Sequence, residues 1–178
     1  MKNLRTSLIA AAALSALAGS AFAAQDSATV NASIIQPISI TKNTNVSFGT
    51  VARPNTVSTS AVTLNPATGT NPVSITGGTA LVVTQGTRGQ FTITGDGGRA
   101  YTLGGVGAFN LTDGTNDISF TPAFAVDSGS LTGTAGALPG TAFTQGTQLL
   151  YAGGTFNITD TTVPGAYAGT LTVTVNYN

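Results

Sequence analysis

The sequence predicts an all-β protein, a sandwich or barrel of short strands, and three observations predict it. Apolar residues recur with period two. Ala28, Val30, Ala32 and Ile34 alternate with Thr29, Asn31 and Ser33, and Leu171, Val173, Val175 and Tyr177 alternate with Thr172, Thr174 and Asn176. That is the pattern of a strand with one buried face. Thr and Val dominate the runs, and β-branching suits a pleated, half-buried surface. Between the runs stand breakers of known turn chemistry: Asn65-Pro66, Asn71-Pro72, Asp96-Gly97-Gly98, Asp113-Gly114, Pro139-Gly140 and Pro164-Gly165.

Taken in order, residues 1–23 read as a secretory leader. Lys2 and Arg5 precede the apolar run Leu8–Ala18, and Ala21-Phe22-Ala23 is a small-residue cleavage site. The run is too short and too Ala-rich for a membrane anchor. Residues 24–37 form an N-terminal extension, and residues 38–178 the sandwich domain. Within them the candidate strands are Ala28–Ile34, Ile38–Thr41, Val46–Val51, Val57–Leu64, Val73–Ile75, Ala80–Val83, Gln90–Thr94, Ala100–Leu103, Phe109–Leu111, Ile118–Val126, Gln148–Tyr151, Thr155–Ile158 and Tyr167–Tyr177. The last is the strongest, because a slip of one residue would expose its whole apolar row. Pro37 separates the first strand from the rest. It removes a ladder donor and biases Gln36 toward extended geometry.

An open sheet ends in edges, and monomeric proteins blunt them with charge, proline or bulges. Neither Ala28–Ile34 nor the last strand carries a charge. Two readings follow. In one, Ala28–Ile34 pairs within its own sheet and the protein is a self-contained sandwich at a surface or on a matrix. In the other it adds to the sheet of a neighbour, a known mode of strand addition.

Composition narrows the function classes. Beyond the leader the cations are Lys42, Arg53, Arg88 and Arg99 and the anions Asp26, Asp96, Asp113, Asp117, Asp127 and Asp160, a net charge of −2. No basic stripe for nucleic acid or anionic lipid exists. The charged fraction, 7%, is far below the roughly 25% of ordinary domains. Solubility therefore rests on hydroxyls and amides, which suits a protein that does not diffuse as a free monomer. There is no Cys, although an exported chain could form disulfides. Without His, Cys or Glu, no Ser–His pair, thiolate nucleophile or zinc cluster can be assembled. Asp113 and Asp117 in DGTND lie too close in sequence to flank a substrate. DGTND reads as a hairpin turn rather than a calcium loop, lacking the distal bidentate Glu. GDGGR, residues 95–99, lacks the lysine and helix of a phosphate loop. The expectation is a non-enzymatic chain with no cofactor and no metal site. Tyr101, Tyr151 and Tyr167 read as packing rather than as a sugar platform. An outer-membrane barrel, the rival all-β architecture, would want longer strands and aromatic girdles.

ATVNASIIQPISITKNTNVSFGTVARP, VSITGGTALVV, GQFTITGDGGRAYTL and PGAYAGTLTVTVNYN together resemble domain of unknown function 4402, an exported bacterial family. That family is similar in turn to spore-coat-U-like proteins and archaic chaperone–usher pilins. The shared features are the ATV-type first strand, the step Ser47-Phe48-Gly49, and a final strand with penultimate Tyr177. The resemblance implies an immunoglobulin-like, pilin-like β-sandwich lacking one strand, completed by a neighbouring subunit. Ala28, Val30, Ala32 and Ile34 would be the donor side chains. Leu171, Val173, Val175 and Tyr177 would line the accepting edge. Partners would be copies of the chain or related subunits, with a periplasmic chaperone and an outer-membrane usher. The place of action would be the periplasm, then the cell surface or exterior.

Overall fold

The computed structural model describes residues 24–178, and among them are thirteen strands and no helix. The leader expected at residues 1–23 lies outside the described residues. The compact unit is Ile34–Asn178. The strands are β1 (Ser39–Thr44), β2 (Thr50–Ala52), β3 (Thr59–Leu64), β4 (Val73–Thr76), β5 (Leu81–Thr84), β6 (Gly89–Asp96), β7 (Ala100–Gly104), β8 (Phe109–Thr112), β9 (Asp117–Val126), β10 (Ser130–Thr132), β11 (Ala135–Ala137), β12 (Gln145–Thr159) and β13 (Thr174–Tyr177).

All of their ladders are antiparallel, in three sheets. A seven-stranded sheet runs β1-β6-β12-β3-β4, with β9 and then β8 added to β12, and curls into a half-barrel. A four-stranded sheet has the order β10-β11-β7-β13, and β2 pairs with β5. The long β12 organises all of this. Leu150, Tyr151 and Ala152 pair with both β6 and β9, and Gly154, Thr155 and Phe156 with both β3 and β9. So β6 and β3 share one edge of β12 end to end, and β9 takes the other. The hand-over falls at Gly153-Gly154. A Cβ on Gly153 would collide with the Leu64 carbonyl, and Gly154 sits at φ +151° against the Phe120 ring. Only glycine allows three strands to meet there.

Each half of β12 floors a separate core. One contains Phe91, Ile93, Tyr101, Leu103, Leu138, Leu150 and Ala152, between the β6–β12 part of the large sheet and the four-stranded sheet. The other contains Val62, Leu64, Val73, Ala80 and Ile158. Their alternation is that of the sequence: β3 buries Ser60, Val62 and Leu64, and β6 buries Phe91 and Ile93. Outward-facing hydroxyls pair across strands, as in Ser39 Oγ with Thr94 Oγ1 at 2.7 Å and Thr63 Oγ1 with Thr155 Oγ1 at 2.9 Å. They supply the polar face that charge supplies elsewhere.

Four expectations change. Gln148–Tyr151 and Thr155–Ile158 are one strand, because Gly153-Gly154 bends the ladder without ending it. Val46–Val51 is mostly unpaired, with a bridge from Ser47 to Thr87 before β2 begins. The hairpin β10–β11 was not expected; it turns at Gly133, φ +60°. Tyr167–Tyr177 is a paired strand only from Thr174 onward. Its sole ladder partner is β7, and the chain after β7 turns away at Gly105, φ +74°, where a Cβ would strike the Thr172 carbonyl. Gly169–Val173 is left with no strand partner.

Candidate functional site

Among the strands paired on one edge only, β1 and β13 approach each other. β1 pairs with β6, and β13 pairs with β7. Their other edges carry no strand partner, and the gap between these two edges is called the groove. At one end the Tyr177 hydroxyl donates to the Gln36 carbonyl at 2.8 Å. At the other the Arg53 guanidinium donates to the Thr162 carbonyl at 2.9 Å. Since Gln36 pairs with Tyr177 and Arg53 with Thr162, the two lips run antiparallel. A bridge between Ala168 and Thr112, at 2.8 and 2.9 Å, ties the C-terminal lip to β8.

The apolar row of the C-terminal lip faces into the first core but is not covered by it. Leu171, Val173, Val175 and Tyr177 are each half-buried, and each intervening residue is exposed. Ile38 and Ile40 on the β1 lip are half-buried in the same way. Near Arg53 lies a cavity of about 670 Å³, lined in part by Phe48, Phe109, Leu111, Phe120, Phe156 and Leu171. The rings hold one another edge to face. Phe48 lies 5.7 Å from Phe120 and 4.8 Å from Phe156, and Phe109 lies 5.1 Å from Phe120. Such geometry suits the ring quadrupole and keeps the cavity wall in shape without filling the cavity.

Tyr177 does more than line the groove. Its hydroxyl also accepts the Asp96 N–H at 2.5 Å, and its ring tip lies where a Cβ on residue 95 would be, so Gly95 makes room for it. Asp96 is fully buried, and its Oδ2 receives Arg99 Nε at 2.7 Å. Below this corner Tyr101 is buried and donates to Gln148 Oε1 at 2.5 Å, while Gln148 Nε2 donates to the Ser128 carbonyl. Burial pushes the Tyr101 phenol up to about 12.

The carboxylates serve local structure. Asp113 Oδ1 accepts the Asn116 and Thr115 N–H groups at 2.7 and 2.9 Å, closing the DGTND turn between β8 and β9. These bonds, Asn116 first, hold its carboxyl below the ordinary value. Burial first, and the Asp113 charge second, raise the phenol of neighbouring Tyr167. Asp127 Oδ1 accepts the Leu149 N–H at 2.8 Å.

The four expected donor residues lie in a segment that carries no strand in the single chain. Val30 is 92% and Ile34 87% exposed, and Ala28 and Ala32 are exposed as well. Of the four expected acceptor residues, Val175 and Tyr177 lie in β13, and Leu171 and Val173 precede it without a strand partner. Sequence reasoning missed the facing lip and the cavity. Ile38 and Ile40 had a legible signal, their alternation, but were read only as a strand. The gathering of Phe48, Phe109, Phe120 and Phe156 had none, since four distant segments supply it.

A family profile for a domain of unknown function, DUF4402, matches residues 38–177. The chain belongs to this family. The match begins at Ile38, so the DUF4402 domain holds both lips and the cavity, while Ala28, Val30, Ala32 and Ile34 precede it. No curated protein and no solved structure matches the chain.

Proposed function

We propose that this DUF4402 protein is a structural subunit of a bacterial surface fibre or coat. Its domain acts as an immunoglobulin-like sandwich short of one strand, and Ala28–Ile34 of another copy supplies that strand. One observation carries the reading: β1 and β13 approach each other with one edge of each unpaired, and the apolar row of the C-terminal run is only partly buried. A chain folded for solitary life blunts or covers such edges. The alternation of Ala28, Val30, Ala32 and Ile34 matches that of Leu171, Val173, Val175 and Tyr177. Residues 24–35, extended at about 3.3 Å per residue, reach roughly 40 Å, enough to follow the C-terminal lip.

The energetics are favourable. Burying the four donor side chains yields roughly 4–7 kcal/mol at about 25 cal/mol per Å². Each ladder bond adds about 0.5–1.5 kcal/mol, against the entropy of association. Secretion through the inner membrane, a periplasmic chaperone that holds the groove beforehand and an outer-membrane usher belong to the same proposal.

The test is a denaturing gel of material sheared from the surface, loaded with and without boiling. The expected result is a ladder without boiling that collapses to one band on heating. Val30→Lys, which sets a charge against the groove, removes the ladder. A single monomer band in both lanes would overturn the reading in favour of a self-contained sandwich.

A further inference from the structure

The groove is bounded by the edge of β1 that has no strand partner, and the chain's own N-terminal segment is attached to β1 through Gln36-Pro37. The nearest strand that could fill the groove is therefore the chain's own, folded back as a hairpin on β1. Two features of the junction oppose that closure. Such a hairpin would place Gln36 and Pro37 at its two central positions. A type I turn disfavours proline second, types II and I′ need a positive φ there that the ring forbids, and type II′ needs a positive φ at Gln36. The second feature is the Tyr177 hydroxyl. It donates to the Gln36 carbonyl and is itself fixed by the Asp96 N–H, so residue 36 is held to the opposite lip where a hairpin would have to turn.

We infer that Gln36-Pro37 and the Tyr177 hydroxyl form a junction that bars the chain's own segment from its groove and so reserves the groove for a second copy. The inference rests on the strand-exchange reading above. Tyr177 is here a positioning residue. It chooses which segment docks, and its ring remains part of the lip. The occupant is Ala24–Ile35 of another copy, which reaches the groove without any turn at its own residue 36.

The experiment uses the absence of cysteine from the chain. Val30→Cys with Val173→Cys places one thiol at the middle of the segment and one at the middle of the C-terminal lip, and oxidation records which segment has docked. In this background the expected product is an interchain disulfide, seen as a covalent ladder on a non-reducing gel. Adding Gln36→Asn with Pro37→Gly, the pair that a two-residue hairpin prefers, is expected to abolish the ladder. An intrachain disulfide replaces it, in a monomer that melts higher than the uncapped chain. Adding Tyr177→Phe instead, which keeps the ring and removes the hydroxyl, gives a mixture of the two. A ladder unchanged by the Gln36→Asn, Pro37→Gly pair would overturn the inference and leave strand exchange standing. An intrachain disulfide already present in the background would overturn the inference directly. A background with no disulfide of either kind would overturn the strand-exchange reading, and this inference with it.

Discussion

β12 and the segment Tyr167–Tyr177 each turn a row of apolar side chains toward the first core, and the fold treats them oppositely. β12 is paired on both edges through its middle, and Leu150 and Ala152 are fully buried. The C-terminal run is paired on one edge, over Thr174–Tyr177 alone, and its apolar row stays only partly buried. Alternation records that one face of a run is meant for burial. It carries no record of how many neighbours the run will have. The strong pattern with a weak ladder in the C-terminal run is the feature on which the strand-exchange proposal rests.

The largest effect expected on this contrast is in the closed half. Leu150→Ala removes a side chain with no exposure between the two sheets. It should lower unfolding stability by about 2–5 kcal/mol, read by denaturant titration of the isolated subunit. A loss below about 1 kcal/mol would mean that the first core is not closed as described. Next comes alkaline destabilisation through Tyr101. Burial holds its phenol neutral up to about 12, against an unfolded value of 10.0. Above the unfolded value the folded state keeps a proton that the unfolded chain gives up. This contribution is intact below pH 10 and is lost as the pH climbs through 12, up to roughly 3 kcal/mol in all. Tyr101→Phe should flatten that part of the pH–stability profile.

A smaller effect, and the one that sharpens the contrast most, is Val173→Ala on the open lip. In the isolated protein it should cost about 1–2 kcal/mol, less than Leu150→Ala, because the side chain is smaller and only partly buried. In sheared polymer the same substitution should lower the temperature at which the ladder collapses. Equal effects in both forms would erase the distinction between the closed and the open half. Smallest is Asp113→Asn, which weakens acceptance of the Asn116 and Thr115 N–H groups. Its carboxyl is held below the ordinary value, so the turn's contribution is present above the unfolded pKa and fades as acid protonates the folded group. Faster amide exchange at Thr115 and Asn116, with the melting temperature nearly unchanged, is the expected readout.

How much of this was legible in the sequence follows from range. All-β architecture, the DGTND turn, β9 and the two half-filled rows come from period-two patterning and turn chemistry, which are local. The single strand β12 was read as two, because a glycine pair in sequence looks like a break when it is a bend that lets β3 follow β6. The shortening of the last strand could not be read. It depends on where β7 turns off at Gly105, more than sixty residues earlier. The expected donor residues were legible as a row, and the expected acceptor residues as another. The facing lip at Ile38 and Ile40 and the aromatic cavity exist only after β1, β8, β9 and β12 have been brought together. The burial of Asp96 beneath the part-exposed Arg99 was equally hidden, since GDGGR announces a turn and nothing about its depth.

The place of β12 in the chain has a consequence for how folding begins. β12 runs from Gln145 to Thr159, and it pairs with β3, β6 and β9, which end at Leu64, Asp96 and Val126. Both cores include β12 residues: Leu150 and Ala152 in one, Ile158 in the other. A nascent chain shorter than this has hairpins but no closed core. Contacts so distant in sequence are slow to form, so the chain spends its synthesis unfolded and then closes both cores around one late strand. Chains cut short before residue 145 are therefore expected to leave protease-sensitive fragments rather than half a domain.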